Sequence, residues 1–270
     1  MSLPYAEVIG DPIAHSKSPL IHGFWLEKLG LEADYRAVHV KPEGLADYLA
    51  SRRGDPLWRG CNVTLPHKIA VMDLVDDPGA VRGTIGAMNT LLHVADGAIT
   101  GTNTDAAGFL APIMDVDLTG QPVVVAGSGG AAHAILFALK QAGAGPVTLL
   151  ARNAMKGAML LARFGMKGEV KPLDAPLPPA ALLVNTTSLG MKGQPAFAPD
   201  LSGLADGAIV YDIVYAPLET PLLQAAEAEG LETVDGLSML IGQAAFAFEL
   251  FFGAPPPEDC DEELRERLMA

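Results

Sequence analysis

The feature that most constrains the fold is a regular alternation of short apolar runs and helical patterns between residues 105 and 213. The largely apolar runs 123–126, 147–150, 182–185 and 209–213 are typical of buried strands, and helical patterns occupy 105–114, 130–141 and 153–163. Strands separated by helices pair in parallel through crossover connections, so the alternation predicts a doubly wound parallel sheet. Hydrophobic residues make up 50% of the chain and aromatic residues only 6%, so aliphatic side chains must fill the core, as suits such a sheet.

The residues before 105 predict a differently built α/β region. Strands are expected at 5–10, 35–40 and 60–64, with a helix from Pro19 to Gly30 and another over 44–52. A hairpin is expected at 89–101, because Asp96 and Gly97 supply the positive φ angles of a type I′ turn. The length of 270 residues exceeds the usual single domain, so two domains, or one large α/β domain, are predicted, and the pattern changes at residue 105.

The segment 61–68, with the sequence CNVTLPHK, carries a lysine at the end of a predicted strand. Pro66 suits the first turn of a helix, where a missing N–H costs nothing. A helix is therefore predicted over 66–74, with Lys68 projecting from its start. His67 is interpreted as a surface or capping histidine rather than a proton donor.

Residues 123–132 fit a strand, the pattern G-x-G-x-x-A and the start of a helix. Gly127 permits the tight turn, Gly129 lets the backbone approach phosphates, and Ala132 allows close helix packing. This arrangement predicts a dinucleotide with its pyrophosphate at the helix N-terminus. The alternative is a merely tight strand-to-helix turn.

The strand predicted at 147–150 is followed by Arg152 and Lys156, with no carboxylate where NAD-binding proteins place one for the ribose 2′-hydroxyl. The two cations would instead neutralise a 2′-phosphate, so NADP is favoured over NAD. The alternative is a pair of solvated cations at a helix start, where the helix dipole disfavours them.

Polar side chains gather at four places where strands end or helices begin, namely residues 15–18, 62–68, 86–90 and 102–105. Each has an ordinary structural explanation, such as helix capping by Ser18 and Asp105 or turn formation at Asn62 and Asn89. If they converge, they would line a site for a polyhydroxylated, anionic small molecule.

Composition excludes several classes of function. The net charge of −14 argues against a nucleic-acid partner. Cys61 and Cys260 form no disulfide framework, and residues 1–5 lack the pattern of a secretory signal, so a cytoplasmic protein is predicted. The apolar helix expected at 237–252 falls short of the roughly 20 residues that a membrane span requires. The histidines lack metal-ligand spacing, so no metal site is expected.

At these motifs the chain resembles the shikimate dehydrogenase family. Similar blocks run in the family's order from Val8 to Gln243: IAHSKSP at 13–19, NVTLPHK at 62–68, GAMNT at 86–90, NTD at 103–105, GSGGA at 127–131, NTTS at 185–188, DIVYAP at 212–217 and GLSMLIGQA at 236–244. The resemblance implies NADPH-dependent, reversible reduction of 3-dehydroshikimate to shikimate in aromatic amino-acid biosynthesis.

The resemblance also implies two α/β domains with the substrate held between them. Residues 1–104 plus 237–270 would form the substrate-binding catalytic domain, and 105–236 a Rossmann-type NADP-binding domain. Lys68 and Asp105 would be the catalytic pair. The expected substrate-binding residues are Ser16, Ser18, Asn62, Thr64, Asn89, Tyr215 and Gln243. The expected cofactor-binding residues are Gly127, Ser128, Gly129, Gly130, Ala131, Arg152, Lys156, Thr187, Ser188, Ile213, Gly236 and Met239.

The chain departs from the family pattern near the expected adenosine phosphate. Ala151 and Asn153 replace the usual residues beside the arginine, and Lys156 replaces a second arginine, so NAD stays open as a second cofactor. Thr186 stands where alanine is common. The alternatives are a quinate or quinate/shikimate dehydrogenase that uses NAD, and a non-catalytic NADP-binding regulator. Both a monomer and a homodimer fit the sequence.

Overall fold

The computed structural model describes residues 3–269, except for the side chain of Ala95, and these residues form two compact units. The first unit combines the residues up to Gly108 with those from Ile241 onward, and the second unit comprises Phe109–Leu240. The helices are α1 (Ser18–Leu29), α2 (Leu45–Arg52), α3 (Val81–Thr84), α4 (Asp105–Leu110), α5 (Gly130–Gln141), α6 (Ala154–Arg163), α7 (Pro221–Ala228), α8 (Gly236–Phe252) and α9 (Asp261–Met269).

The first unit is built on a mixed sheet in the order β2-β1-β3-β4-β5. Its strands are β1 (Tyr5–Gly10), β2 (Asp34–His39), β3 (Trp58–Val63), β4 (Thr90–His93) and β5 (Ile99–Thr102). β1 pairs in parallel with β2 and β3, whereas β4 pairs antiparallel with both β3 and β5. The strand order reverses between β1 and β3, so the loops after these two strands adjoin. The Thr64 amide accordingly donates to the Ile9 carbonyl over 2.9 Å.

The second unit holds a parallel sheet in the order β11-β10-β9-β6-β7-β8. Its strands are β6 (Val123–Ala126), β7 (Val147–Leu150), β8 (Gly168–Lys171), β9 (Leu182–Asn185), β10 (Ile209–Asp212) and β11 (Glu232–Val234). The prediction of a doubly wound parallel sheet is confirmed. The edge strands β8 and β11 were not predicted, because they are short, partly exposed and lack an apolar run.

The strand order of the second unit reverses between β6 and β9. Crevices outside the carboxyl ends of strands at such a reversal are where open α/β sheets bind ligands. Here the glycine-rich turn follows β6, and residues 186–188 follow β9.

The hairpin of β4 and β5 closes through Asp96 and Gly97, which have φ values of 63° and 75°, as the sequence predicts. The helix predicted over 66–74 is wrong: residues 65–69 form turns, and only Ala70–Leu74 are helical, as a 3₁₀ helix. The His67 amide donates to the Thr64 carbonyl, and the Lys68 carbonyl accepts from the Met88 amide over 2.8 Å. A tertiary partner thus takes a backbone group that an α-helix would use.

Among the residues that the structure describes, no helix combines the length and apolar character needed to cross a membrane.

Candidate active site

The polar residues of the first unit gather at one edge of its sheet. β4 runs antiparallel to β3 and β5, so the end of β3, the start of β4 and the end of β5 lie side by side. Asn62 pairs with Thr90, and Thr90 pairs in turn with Thr102. Three of the polar segments singled out from the sequence therefore meet here.

Lys68 and Asp105 form a nearly buried ion pair. The Lys68 ammonium lies 2.5 Å from Asp105 Oδ2, and the two side chains are 14% and 5% exposed. The second carboxylate oxygen of Asp105 accepts from Asn89 Nδ2 over 2.8 Å. A cation and a carboxylate are thus fixed against each other on one side of the network, with little water around them.

His67, which directly precedes Lys68, helps to fix the turn that carries the lysine. Its ring is buried, and Nε2 lies 2.6 Å from the Val40 carbonyl oxygen. The surface position in the expectation of a surface or capping histidine is wrong, because the turn at 65–69 points the ring inward, where it contacts a backbone carbonyl after β2. This contact anchors the residue that precedes Lys68.

Asn89 is the centre of the network. Its Nδ2 lies within hydrogen-bond distance of Asp105 Oδ1, of Thr104 Oγ1 at 2.9 Å and of Gln243 Oε1 at 3.3 Å. Its Oδ1 accepts from the Thr104 amide over 2.7 Å and from the Thr90 hydroxyl over 3.0 Å. Asn89 thereby joins β4 to the segment before α4 and to α8.

Gln243 reaches this network because α4 and α8 approach closely at Gly108. A methyl group on Gly108 would lie 2.5 Å from the Gln243 backbone nitrogen, so glycine is required there. The close approach brings a residue distant in sequence to the catalytic pair expected from the sequence.

The other residues of the first unit that were expected to bind substrate lie on β3, just after β3 and at the start of α1. Asn62 Nδ2 donates to Thr90 Oγ1 over 3.1 Å, and Asn62 Oδ1 accepts from the Tyr35 hydroxyl over 2.6 Å. Ser16 Oγ accepts from the Ser18 amide over 3.3 Å, as an N-terminal turn of α1 allows. Thr64 is half-buried and directly follows β3.

Sequence reasoning missed Tyr35, Thr90 and Thr104 as site residues. Thr90 and Thr104 lie inside the motifs GAMNT and NTD, so their position beside Asn89 and Asp105 was the available signal. Tyr35 had no such signal, because only the parallel pairing of β1 with its neighbours brings β2 toward Asn62.

The glycine-rich turn of the second unit has the conformation that a dinucleotide site requires. Gly127 has a φ of +111°, and a methyl group there would lie 2.4 Å from Thr186 Oγ1. A methyl group on Gly129 would meet no atom within 4 Å, which leaves space in front of α5 for an approaching phosphate. Within residues 3–269, no side chain caps the start of α5. The turn therefore fits a pyrophosphate, with Ser128, Gly130 and Ala131 completing it.

A buried hydrogen-bond network holds the loop after β9. Asp212 accepts from Asn185 Nδ2 over 2.9 Å and from the Thr220 hydroxyl over 2.8 Å. Burial raises the pKa of the Asp212 carboxyl. Asn185 Oδ1 in turn accepts from the Thr187 amide and hydroxyl, at 3.0 and 2.7 Å, and Ser188 follows as an exposed residue.

The other predicted cofactor residues also lie in the second unit. Gly236, at the start of α8, packs against the backbone carbonyl of Ile213, which directly follows β10. Met239 is buried one turn farther along α8. Tyr215, predicted from the resemblance to bind substrate, belongs to this unit as well, and burial raises the pKa of its hydroxyl.

Arg152 and Lys156 are exposed on either side of the start of α6. Asn153 caps this helix by accepting from the Lys156 amide over 3.0 Å. The first turn of α6 contains no acidic side chain, so the two cations stand without a carboxylate in that turn. This arrangement suits an anionic group more than a ribose hydroxyl. Among the described residues, no group of three or more His, Cys, Asp or Glu could hold a metal ion.

Comparisons with known proteins identify relatives over the whole chain. A family model described as the shikimate dehydrogenase substrate binding domain matches residues 8–91, and one described as the shikimate 5′-dehydrogenase C-terminal domain matches residues 236–264. The shikimate dehydrogenase (NADP(+)) of Sphingopyxis alaskensis is 67% identical over 99% of this chain and 97% of its own length.

Solved structures of similar fold include two with different activities. Shikimate 5-dehydrogenase from Thermus thermophilus, in complex with NADP(H) and shikimate, matches with a TM-score of 0.85 and 38% identity over 99% of this chain and all of its own. The ligand-free 5-ketofructose reductase of a Gluconobacter species matches with a TM-score of 0.86 and 32% identity over 99% of both chains.

Proposed function

The chain belongs to the shikimate dehydrogenase family, and we propose that it catalyses the reversible, NADPH-dependent reduction of 3-dehydroshikimate to shikimate in aromatic amino-acid biosynthesis. The observation that carries this proposal is the buried contact of Lys68 with Asp105 at the polar edge of the first sheet. A protein that only sensed the cofactor would need neither residue.

Lys68 is the proposed proton donor. When bound, NADPH supplies a hydride to the ketone carbon of the substrate, and negative charge develops on the ketone oxygen. The Lys68 ammonium stabilises this charge and protonates the oxygen, and in the reverse direction the neutral amine accepts the proton. Its low exposure strengthens these interactions, because little water competes with them.

Asp105 is proposed to orient Lys68. Its Oδ2 holds the ammonium, while its Oδ1 is held by Asn89, so the carboxylate cannot rotate freely between them. A fixed carboxylate keeps the lysine side chain in one direction before the substrate arrives, which lowers the cost of positioning during the reaction. Asp105 also offers an acceptor for a reacting hydroxyl.

The substrate-binding residues are proposed from the family motifs, and the hydrogen bonds of Asn89 to Asp105 and Gln243 support two of them. We propose that Ser16 and Ser18 bind the substrate carboxylate, and that the ring hydroxyls are bound by Asn62, Thr64, Asn89, Tyr215 and Gln243. Ser16→Ala should raise KM for shikimate several-fold with little change in kcat, because a contact remote from the reacting carbon binds ground and transition states alike. An equal loss in kcat would contradict this role.

The second unit is proposed to bind NADP. Gly127–Ala131 and the N-terminus of α5 would hold the pyrophosphate, and Arg152 with Lys156 would hold the 2′-phosphate. We propose that the nicotinamide is contacted by Thr187, Ser188, Ile213, Gly236 and Met239.

Two related enzyme activities must be compared directly with the proposed one. The 5-ketofructose reductase of similar fold suggests another ketone substrate, and a quinate dehydrogenase would act on a close analogue of shikimate. The decisive experiment measures kcat/KM for shikimate and quinate with NADP and with NAD, and for 5-ketofructose with NADPH. We expect shikimate with NADP to have the highest value. A preference for quinate with NAD, or for 5-ketofructose, would replace the proposed function, and binding of NADPH without turnover would indicate a regulator.

We further propose a cytoplasmic enzyme that works as a monomer or homodimer. The free thiols of Cys61 and Cys260 suit a reducing compartment, and the net charge of −14 disfavours nucleic acid. Light scattering coupled to size-exclusion chromatography would distinguish monomer from dimer.

A further inference from the structure

We propose that Tyr35 is a positioning residue that fixes the Asn62 amide for the substrate. The inference rests on the proposed function, since it concerns how one of the proposed substrate contacts is oriented. Tyr35 lies on β2, outside the eight sequence blocks that carry the resemblance to the family.

Asn62 is held by three hydrogen bonds, and the one from Tyr35 is the shortest. The Tyr35 hydroxyl donates to Asn62 Oδ1 over 2.6 Å, whereas Asn62 Nδ2 donates to Thr90 Oγ1 over 3.1 Å and to the Asn89 carbonyl over 3.3 Å. The two N–H groups of the amide are therefore engaged, and only Oδ1 has a lone pair left. Asn62 consequently offers a substrate hydroxyl an acceptor and no donor.

The surroundings of Tyr35 keep its hydroxyl in place as a donor. The ring stacks on His22, with centroids 3.9 Å apart and an interplanar angle of 2°, and Phe251 packs beside it. Burial raises the pKa of the Tyr35 hydroxyl well above 10, so the proton stays on the oxygen. The stacked ring therefore holds the hydroxyl oxygen in a fixed position beside Asn62 Oδ1.

The test is Tyr35→Phe, which keeps the ring against His22 and removes only the hydroxyl. KM for shikimate should rise roughly tenfold, the factor that corresponds to about 1.4 kcal/mol. The values of kcat and of KM for NADP should change less than about twofold, because the reacting atoms and the cofactor residues are untouched. Initial rates of shikimate oxidation, followed by NADPH absorbance, give all three constants.

Two other buried tyrosines supply matched controls. The Tyr48 hydroxyl donates to Glu7 Oε2 over the same 2.6 Å, outside the proposed site, so Tyr48→Phe should lower the melting temperature and leave KM unchanged. The Tyr211 hydroxyl has no hydrogen-bond partner among the described residues, so Tyr211→Phe should change neither. If Tyr48→Phe raised KM as much as Tyr35→Phe, a general loss of stability would explain both and overturn the proposal.

A double-mutant cycle with Asn62→Leu tests whether Tyr35 affects KM through Asn62. If Tyr35 acts through Asn62, then Tyr35→Phe should add less than a twofold change in KM once Asn62→Leu is present. The double variant leaves neither partner of the Tyr35–Asn62 hydrogen bond buried and unsatisfied. Its KM can therefore be compared with that of Asn62→Leu even if Tyr35→Phe alone does not fold. Independent, multiplying effects would overturn the proposal, as would an unchanged KM in Tyr35→Phe. A wild type that does not oxidise shikimate would instead refute the proposed function.

Discussion

Replacing Lys68 by methionine separates the chemical role of the ion pair from its structural role. Methionine keeps much of the length and apolar stem of lysine but removes the ammonium. Loss of general acid–base catalysis should lower kcat by about 10²- to 10⁴-fold, which corresponds to roughly 3–5 kcal/mol of transition-state stabilisation. KM for shikimate should change little, because the lost interaction forms mainly in the transition state.

The same substitution should also destabilise the protein. Asp105 is 5% exposed, so Lys68→Met leaves a nearly buried carboxylate without its cation. Removing one partner of a buried pair costs about 3–5 kcal/mol in unfolding free energy. Urea denaturation monitored by circular dichroism measures this loss. Lys68→Met/Asp105→Asn should recover much of the stability, because the unpaired charge is gone, but none of the activity.

An exposed ion pair of the same length provides the control. Lys28 lies 2.5 Å from Glu263, yet these side chains are 38% and 41% exposed. Lys28→Met should therefore leave both kcat and stability almost unchanged, since water screens such pairs. A kcat near the wild-type value in Lys68→Met, or recovery of activity in the double variant, would refute the reasoning.

Three further predictions concern the glycine-rich turn, the exposed Arg152 and the buried His22. Gly127→Ala should lower stability and NADP affinity together, because φ is +111° and the added methyl would lie 2.4 Å from Thr186 Oγ1, whereas Gly129→Ala should keep the melting temperature and lose affinity. Fluorescence titration with NADPH and thermal denaturation check both, and a stable, tightly binding Gly127→Ala would contradict the geometry. Arg152→Ala should raise KM for NADP tenfold or more while changing KM for NAD little; equal effects would remove this residue from a 2′-phosphate site. Burial lowers the pKa of His22 from 6.5 to about 3. Between these two pH values the unfolded state binds more protons than the folded state, so the free energy of unfolding falls as the pH drops below 6.5. The loss at pH 4.5 is roughly 3 kcal/mol. His22→Phe should flatten this part of the curve of unfolding free energy against pH, and an unchanged acid slope would show that His22 does not cause it.

Local sequence was sufficient to predict the central strands of the second unit and two turns, one in each unit. Its central strands are apolar runs flanked by helices, and the conformations at Gly127 and at Asp96-Gly97 follow from residue types that favour positive φ. Each of these signals lies within a few residues of the structure it specifies. The edge strands β8 and β11 were not predicted, because partly exposed strands of three or four residues contain no apolar run.

The sequence by itself determined the parallel sheet, the glycine-rich turn and the polar residue types that meet at the edge of the first sheet. Tertiary structure alone decided that the segment after Pro66 would be a turn, that His67 would be buried, and that Tyr35 would bond to Asn62. These outcomes depend on partners that are distant in sequence. His67, for example, contacts the backbone carbonyl of Val40, which lies 27 residues away and is brought close when the strands pair. Local pattern encodes which face of an element is apolar, but it does not encode which distant donor or acceptor will meet that element when the sheet assembles.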